Sequence, residues 1–341
     1  MHICFVINPW EKMNPETEST LRIIHEAAIR GHRIALLYSR NLAVRDNITY
    51  GLCKILERKD KYSDHVSTFF KKATFKSERL PLKGFDVIFL RKEPPLDNIM
   101  LNFLDSVKDD TFIVNDIDGL RKAASKLYLT TFEDSNEYIP ETHVSKDKDY
   151  LFSVIDNSDN EKWILKPLDG YGGKGIIVLE KRAKENITSL LDFYTDGPDR
   201  KNYVILQECV EGAELGDVRV MMLNGEPIGA MKRVPSENEI RSNVHAGGTP
   251  VKHILTKQER LICNFIGPQL VSDGIFFAGI DIISNKLIEI NVMSPGGIVN
   301  INRLNKTKLQ KPILDFLERK FKQKEKAHER KRAYRKAVED A

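Results

Sequence analysis

The residues best placed to do chemistry lie in one short run, Phe276 to Ile298, FFAGIDIISNKLIEINVMSPGGI. A β-hairpin turning on Ser284-Asn285-Lys286 sets Asp281 directly opposite Glu289, and the period-two alternation of strand side chains puts Asn291 on the same face. The other face carries Ile280, Ile282, Ile288, Ile290 and Val292, with Ile283 and Leu287 set apart beside the turn. Carboxylates opposed across a ladder repel, and with an apolar face behind them they call for a cation or a protonated partner. Hard oxygen donors with no His or Cys nearby point to Mg2+ or Mn2+. An ordinary solvated polar face would instead carry Lys, Thr and mixed charges. Replacing Asp281 or Glu289 by its amide should then abolish metal-dependent turnover and leave the fold intact, since the core face is untouched. Just downstream, Ser294-Pro295-Gly296-Gly297 forms a turn whose glycines can offer backbone N–H groups to an anion.

Cationic residues converge on the same chemistry. DVRVMMLNGEPIGAMKRV, Asp217 to Val234, is a hairpin turning at Asn224-Gly225, with Arg219 and Arg233 on its two strands. IRSNVHAGGTP adds Arg241 and Asn243. Guanidinium groups bind phosphate and carboxylate in bidentate fashion, although arginines on a solvated strand face would leave the same letters. WILKPLDGYGGKGIIVL, Trp163 to Leu179, reads as a strand, a glycine-rich loop containing Gly172 and Gly173, and a second strand. It lacks the G-K-[ST] ending and following helix of a Walker loop. Such a loop can still fold over a triphosphate with its N–H groups facing the oxygens, and Lys166 just before it supplies a point charge. A plain glycine hairpin is the competing reading.

The elements that must position these groups follow the chain. HICFVINP is a strand, an amphipathic segment from about Ser19 to Arg30 stops at Gly31, and HRIALLYS is a second strand. The chain therefore opens as a parallel α/β domain. DVIFLR and TFIVND add strands to that sheet, with a helix near Asn98 to Lys108 between them, while Gly51 to Lys83 reads as mixed helix and loop. No G-x-G-x-x-G follows the first strand, which argues against dinucleotide binding there. Arg91-Lys92-Glu93-Pro94-Pro95 ends a strand where open α/β sheets place ligands, though a strand ending in a charged turn would look alike. A helix from Leu120 to Phe132 carries Arg121, Lys122 and Lys126, and the domain boundary falls near its start. YVILQECV is a buried strand ending near Glu208, and a helix from about Lys257 to Asp273 leads back to the carboxylate hairpin.

The 341 residues suffice for two or three domains with cores of their own. A 41% hydrophobic and 30% charged chain of net charge +4 is that of a soluble globular protein. The run Phe316 to Lys336 holds ten Lys and Arg against three Glu. Acids interspersed through it and a helix-favouring composition make it a solvated terminal helix rather than a nucleic-acid or membrane arm. No stretch of about 18 apolar residues is present and Met1-His2 leads straight into a strand, so neither a membrane span nor a signal peptide is expected. Cys4, Cys53, Cys209 and Cys263 are scattered without metal spacing and read as reduced thiols of a cytoplasmic protein.

Taken together, Lys126, LKPLDGYGG, the Asp217 to Arg219 strand, RSNVHAGG and DIISNKLIEINVMSPGG resemble the ATP-grasp ligases, and within them the prokaryotic glutathione synthetases. The resemblance runs to about Glu318. It implies an α/β fold: an N-terminal parallel α/β substrate domain (1–120), then an ATP-grasp fold made of a lid domain with the glycine-rich loop (121–200) and a C-terminal antiparallel-sheet catalytic domain (201–318). A basic helical tail (319–341) follows. It also implies that Lys126 and Lys166 bind phosphate, that Gly172 and Gly173 bind the nucleotide, that Glu208 and Val210 form the adenine-side hinge, and that Asp217 meets the ribose. Asp281, Glu289 and Asn291 would hold Mg2+ or Mn2+. Arg219, Arg233, Arg241 and Asn243 would face the reacting carboxylate and its phosphate. Arg91, Ser294, Gly296 and Gly297 would bind substrate.

The implied reaction phosphorylates a peptide carboxylate with ATP as co-substrate and lets an amine attack the acyl phosphate. For a glutathione synthetase the acid is γ-glutamylcysteine and the amine glycine; an ATP-grasp ligase of other amino acids or peptides is the alternative. The implied partners are small molecules, with no nucleic acid or membrane, and the resemblance implies a homo-oligomer. Proteobacterial members carry Thr-Ser-Pro-Thr where this chain has Met293-Ser294-Pro295-Gly296-Gly297, and Arg-Lys-Asp-Pro-Pro where it has Glu93. The first change lies close to the substrate and bears on which molecules are joined more than on the chemistry.

Overall fold

The computed structural model describes residues 1–168, 175–195, 202–236 and 247–339. In chain order the elements are β1 (His2–Ile7), α1 (Ser19–Ile29), β2 (Arg33–Leu37), β3 (Leu42–Arg45), β4 (Ile48–Leu56), α2 (Val66–Lys72), β5 (Phe75–Pro81), β6 (Val87–Arg91), α3 (Asn98–Asp105), β7 (Phe112–Val114) and α4 (Ile117–Ala123). Then come β8 (Thr142–Ser145), α5 (Lys148–Asn157), β9 (Lys162–Pro167), β10 (Ile177–Glu180), α6 (Lys184–Thr195), β11 (Val204–Glu208), β12 (Asp217–Leu223), β13 (Glu226–Val234) and β14 (Thr249–Lys252). The chain closes with α7 (Lys257–Ser272), β15 (Phe277–Ile283), β16 (Lys286–Asn291), α8 (Ile298–Asn305) and α9 (Gln310–Glu339). Two compact units result: unit 1 takes 1–120, 273–277 and 293–341, and unit 2 takes 121–272 and 278–292.

Unit 1 is built on a sheet ordered β3-β4-β2-β1-β6-β7, in which β1, β2, β6 and β7 run parallel. β1 and β6 are buried on both faces, as continuous apolar runs in a parallel sheet require. Glu18 caps α1 by accepting from the Thr20 N–H, and Asp97 caps α3 through Met100. The expected parallel α/β opening is therefore present.

The stretch Gly51 to Lys83 is not mixed helix and loop. It supplies most of β4 and all of β5, which extend the sheet as an antiparallel edge paired from Tyr50↔Pro81 to Leu56↔Phe75, with α2 between them. The inward positions of β4 include Thr49, Gly51 and Cys53, so the period-two signal is written in small and polar residues rather than large apolar ones. A Cβ on Gly51 would stand 2.7 Å from Leu37 Cδ1, which is why that position is empty of side chain.

Unit 2 carries two antiparallel sheets among the described residues, β10-β9-β11-β8 and β14-β13-β12-β15-β16. The first is backed by α5 and α6 through Leu151, Ile155, Trp163, Leu165, Ile187 and Leu191, all buried. The expected helix from Leu120 to Phe132 is broken: α4 ends at Ala123, and a 3-10 turn over Lys126–Thr131 begins where Ser125 accepts from the Leu127 N–H. A capping serine inside a helical pattern offers the backbone another partner and stops the helix. The tail helix begins at Gln310, well before residue 319, and its first turns bury Ile313, Leu314, Phe316 and Leu317.

Candidate active site

The hairpin β15–β16 pairs Asp281 with Glu289 and Gly279 with Asn291, as the sequence pattern predicts. The route to that register differs. The turn is two residues, Ser284 and Asn285, both at positive φ (44° and 67°), so Ile283 faces Lys286 and Ile282 faces Leu287. A bulge between Asp281 and Ile282 then restores the carboxylate pair. In consequence Leu287 is buried core and Ile288 only half-buried, the reverse of the expectation.

Asp281 is buried, as are Asp217, Arg219 and Arg233. Arg219 on β12 donates through Nε and Nη2 to the two oxygens of Asp281 on the neighbouring strand, the second bond being 2.8 Å. Arg233 on β13 grips its register partner Asp217 in the same way, with Nε to Oδ1 at 2.6 Å. It also reaches Asp281 Oδ1 at 3.0 Å, which links both pairs into a neutral quartet. Asn291 Nδ2 donates to Asp281 Oδ2 at 3.2 Å. Burial pushes the Asp281 carboxyl up, but the Arg219 and Arg233 charges outweigh it and hold it at about 2. Burial likewise pulls the Arg233 guanidinium down, and Asp281 and Asp217 together raise it above its ordinary value. Gly216 makes this approach possible: at φ 95° its missing Cβ would stand 2.0 Å from the Arg233 carbonyl oxygen.

On the other sheet Lys166, the penultimate residue of β9, is buried, with Nζ donating to Gln207 Oε1 at 2.9 Å, and Gln207 donates in turn to Thr142 Oγ1 at 2.8 Å. Burial lowers the Lys166 amine, Glu289 offsets part of this and Lys126 adds to it, and the net result is about 8. Lys126, Lys166 and Glu289 thus share one electrostatic neighbourhood. β9 and β10 pair antiparallel on either side of the glycine-rich loop, as predicted. Glu208 ends β11, exchanging a backbone bond with Glu141 and accepting from the Glu141 N–H, and Val210 follows it half-buried. Gly172, Gly173, Arg241 and Asn243, expected at the site from the sequence, lie outside the described residues.

In unit 1, Arg91 at the end of β6 is buried, with Nε donating to Thr20 Oγ1 and Nη2 to the Pro295 carbonyl, both at 3.1 Å. Its Nη1 is buried with no hydrogen-bond partner. It faces a cavity of about 410 Å3 lined also by Lys12, Glu18, Glu93 and Ser294. Gly296 has open space around it, whereas the Gly297 N–H is taken by Ser19 Oγ at 3.2 Å and so is not offered to an anion as expected.

Two family models cover nearly all of this: the prokaryotic glutathione synthetase N-terminal domain matches residues 1–121, and the prokaryotic glutathione synthetase ATP-grasp domain matches residues 125–306. The chain belongs to the prokaryotic glutathione synthetase family. The glutathione synthetase of Gloeobacter violaceus is 34% identical over 93% of this chain and 96% of its own, and that of Agrobacterium fabrum 36% identical over 90% and 93%. Among solved structures, the ATP-grasp ligase PsnB aligns at TM-score 0.61 and 14% identity over 94% of this chain and 98% of its own. The D-cycloserine synthetase DcsG aligns at 0.58 and 13% over 92% and 99%. The ATP-grasp fold expected from the sequence is therefore the fold observed.

For a prokaryotic glutathione synthetase the donors on β15 and β16 fit a hard divalent cation in type, being carboxylate and carboxamide oxygens on one strand face. Asp281 is already saturated: Oδ1 accepts from Arg219 Nε and Arg233 Nη2, and Oδ2 from Arg219 Nη2 and Asn291 Nδ2. A cation at this face shares Asp281 only by displacing one of those donors. No cluster of three or more His, Cys, Asp or Glu suited to a metal occurs among the described residues. Asp217 accepts from Arg233 through both oxygens, one bond to each. Sequence reasoning missed Lys12 and Glu18 in the cavity and Gln207 beneath Lys166. Gln207 had a signal, a lone amide in the otherwise apolar stretch YVILQ.

Proposed function

We propose that the chain is an ATP-dependent carbon–nitrogen ligase that makes glutathione, joining the carboxylate of γ-glutamylcysteine to the amine of glycine and releasing ADP and phosphate. The observation that carries this reading is the polar face of the second unit-2 sheet, where opposed Asp281 and Glu289, Asn291 and two buried arginines occur together in a chain of this family. A carboxylate oxygen attacks the γ-phosphorus, ADP departs, the amine adds to the acyl phosphate and loses a proton, and phosphate leaves with that oxygen. Lys166 steadies the phosphates from its buried position together with Lys126, and Gly172 and Gly173 bind the same nucleotide. Arg219, Arg233, Arg241 and Asn243 neutralise charge that develops on the transferring group, and preorganised donors of this kind need no reorganisation during the reaction. Asp217 fixes Arg233 and meets the ribose, and Glu208 and Val210 border the adenine. Asp281, Glu289 and Asn291 would hold Mg2+ or Mn2+, which when bound neutralises phosphate oxygens.

The chain is assigned to the cytoplasm, where its four free cysteines remain thiols. The family likeness carries the expectation of a homo-oligomer, which sedimentation reads directly. No helix among the described residues is long and apolar enough to cross a membrane. The deciding experiment labels the γ-glutamylcysteine carboxylate with a heavy oxygen isotope: label should appear in released phosphate, and ADP release should depend on glycine. Phosphate free of label would overturn the acyl-phosphate route. The open space at Gly296 favours one second reading, a ligase that takes a bulkier amine, and a preference for such an amine over glycine in the same assay would select it.

A further inference from the structure

We propose that the open edge of β5 is a self-association surface, on which two copies of this chain pair strand to strand, antiparallel, about a two-fold axis at Ser77. β5 is an edge strand of the unit-1 sheet and spans seven residues, Phe75–Pro81. It pairs with β4 along its whole length and with no other strand among the described residues. Its other edge therefore presents the backbone N–H and C=O groups that a further strand would take up. Lys76, Ser77, Glu78 and Arg79 are all exposed. An edge this long is a template for another chain unless its side chains forbid it.

The order of charges along β5 says which chain fits. Charged residues on an edge ordinarily guard it against pairing, and that is the competing account. Here they are also self-complementary. A two-fold axis normal to a sheet keeps every side chain on its own face, so it must pass through a residue and not between two. With the axis at Ser77, Lys76 of each copy stands directly opposite Glu78 of the other, twice by symmetry. Phe75 stands opposite Arg79 on the other face, a ring against a guanidinium, again twice. An axis at Lys76, Glu78 or Arg79 sets a like charge against itself, and axes further out shorten the ladder. Within one copy Lys76 and Glu78 already lie on one face with Nζ 3.3 Å from Oε2, so the axis joins two such pairs into a closed square of alternating charge. Seven paired residues fall short of the roughly 20–30 a side of a standard interface, and association in the micromolar range is expected.

Sedimentation equilibrium of the full chain across the micromolar range tests this by exchanging charges. Lys76→Glu and Glu78→Lys each set like charges across the axis twice, and each should weaken self-association by about tenfold or more. An equimolar mixture of these two single variants restores unlike pairs only between the two chains, so it should associate as a heterodimer with near wild-type affinity. The double variant Lys76→Glu/Glu78→Lys restores them within one chain type and should self-associate as the wild type does. Both side chains are exposed and their own-chain ion pair adds little to stability, so melting temperature and turnover should be unchanged throughout. Amide hydrogen exchange along β5 should slow as the wild-type protein is concentrated and stay fast in the single variants. A wild-type chain that remains monomeric over this range overturns the proposal and leaves the charges as guards of the edge. Self-association that either single variant leaves untouched, or a mixture that fails to pair, overturns it equally.

Discussion

Arg233 and Arg91 are both buried, and their guanidinium groups respond in opposite ways. In unit 2 Arg233 lies between Asp217 and Asp281, and its affinity for the proton rises despite burial. In unit 1 Arg91 has a hydroxyl and a carbonyl but no carboxylate in contact, and burial lowers it to about 10. The side chain is the same, so the difference lies in who supplies the anion. Protein carboxylates close the first site, whereas the second keeps a donor for something that arrives. Burial of a charge is therefore compatible with either a fixed scaffold or a binding site, and the partner list separates them.

The largest effects should come from opening the closed site. Asp281→Asn leaves two buried guanidinium groups facing one carboxylate, and breaking a buried ion pair from one side costs about 3–5 kcal/mol. We expect a loss of that order in urea unfolding together with loss of turnover, contrary to the sequence-based expectation that the fold survives intact. Since the folded-state carboxyl is held at about 2, its stabilisation is present above the ordinary aspartate range near about 4 and is lost as pH falls toward 2. The variant should flatten the acid limb of the stability curve. Glu289→Gln, at a half-buried position, should abolish turnover with stability changed by less than about 1 kcal/mol.

The same comparison gives an opposed pair. Arg233→Met takes from Asp217 the guanidinium that grips both its oxygens and from Asp281 one of its two cations, and should cost about 3–5 kcal/mol, whereas Arg91→Met removes a buried cation with no carboxylate in contact and should stay within about 1 kcal/mol of wild type. Equal destabilisation by the two, read from melting curves, would break the distinction between closed and waiting sites.

Lys166 offers a smaller, pH-dependent test. Its amine is lowered to about 8 by burial, so the free protein loses that charge as pH rises through 8. Nucleotide should restore the proton, because phosphate favours the charged form. ADP affinity should therefore weaken by a few-fold between pH 7 and 9, with proton uptake on binding near pH 8.5. Lys166→Met should bind more weakly at pH 7 and show a flatter profile. A wild-type affinity independent of pH over that range would count against phosphate contact by Lys166.

Much of this was legible in the sequence because period two and turn chemistry are local. The opposed Asp281 and Glu289 and the Asn224-Gly225 hairpin both follow from alternation and from residues that accept positive φ. The sequence suggests a turn one residue longer than the observed Ser284-Asn285, and the compensating bulge is invisible to it because bulges answer to packing across strands rather than to composition. β4 was missed because its inward face is Thr, Gly and Cys, selected by close approach to Leu37 and Leu82. The quartet of Asp217, Arg219, Arg233 and Asp281 joins three strands, and its pairing becomes visible only once their order is known. Lys12 and Glu18 reach the Arg91 cavity through tertiary structure alone.

The smallest effect should come from cations that belong to neither class. Along α9 the first turns are anchored by Leu314, Phe316 and Leu317, with Phe316 packed near Phe112 and Phe276. Lys324 donates to the carbonyl oxygens of Asp109 and Asp110, at 3.2 and 2.6 Å. Beyond Glu325 the described side chains are exposed, from Lys326 through Arg335. Solvated charges on a helix end carry no desolvation cost to be offset, and changes at such surfaces are usually within about 0.5 kcal/mol. Ending the chain after Glu325 should accordingly leave turnover unchanged and move the melting temperature by no more than about 2 °C. The cut keeps both Lys324 bonds and every described buried residue of the helix. A drop well beyond that, or a loss of activity, would show that this basic stretch docks against a partner surface and would add a third kind of cation to the two compared above.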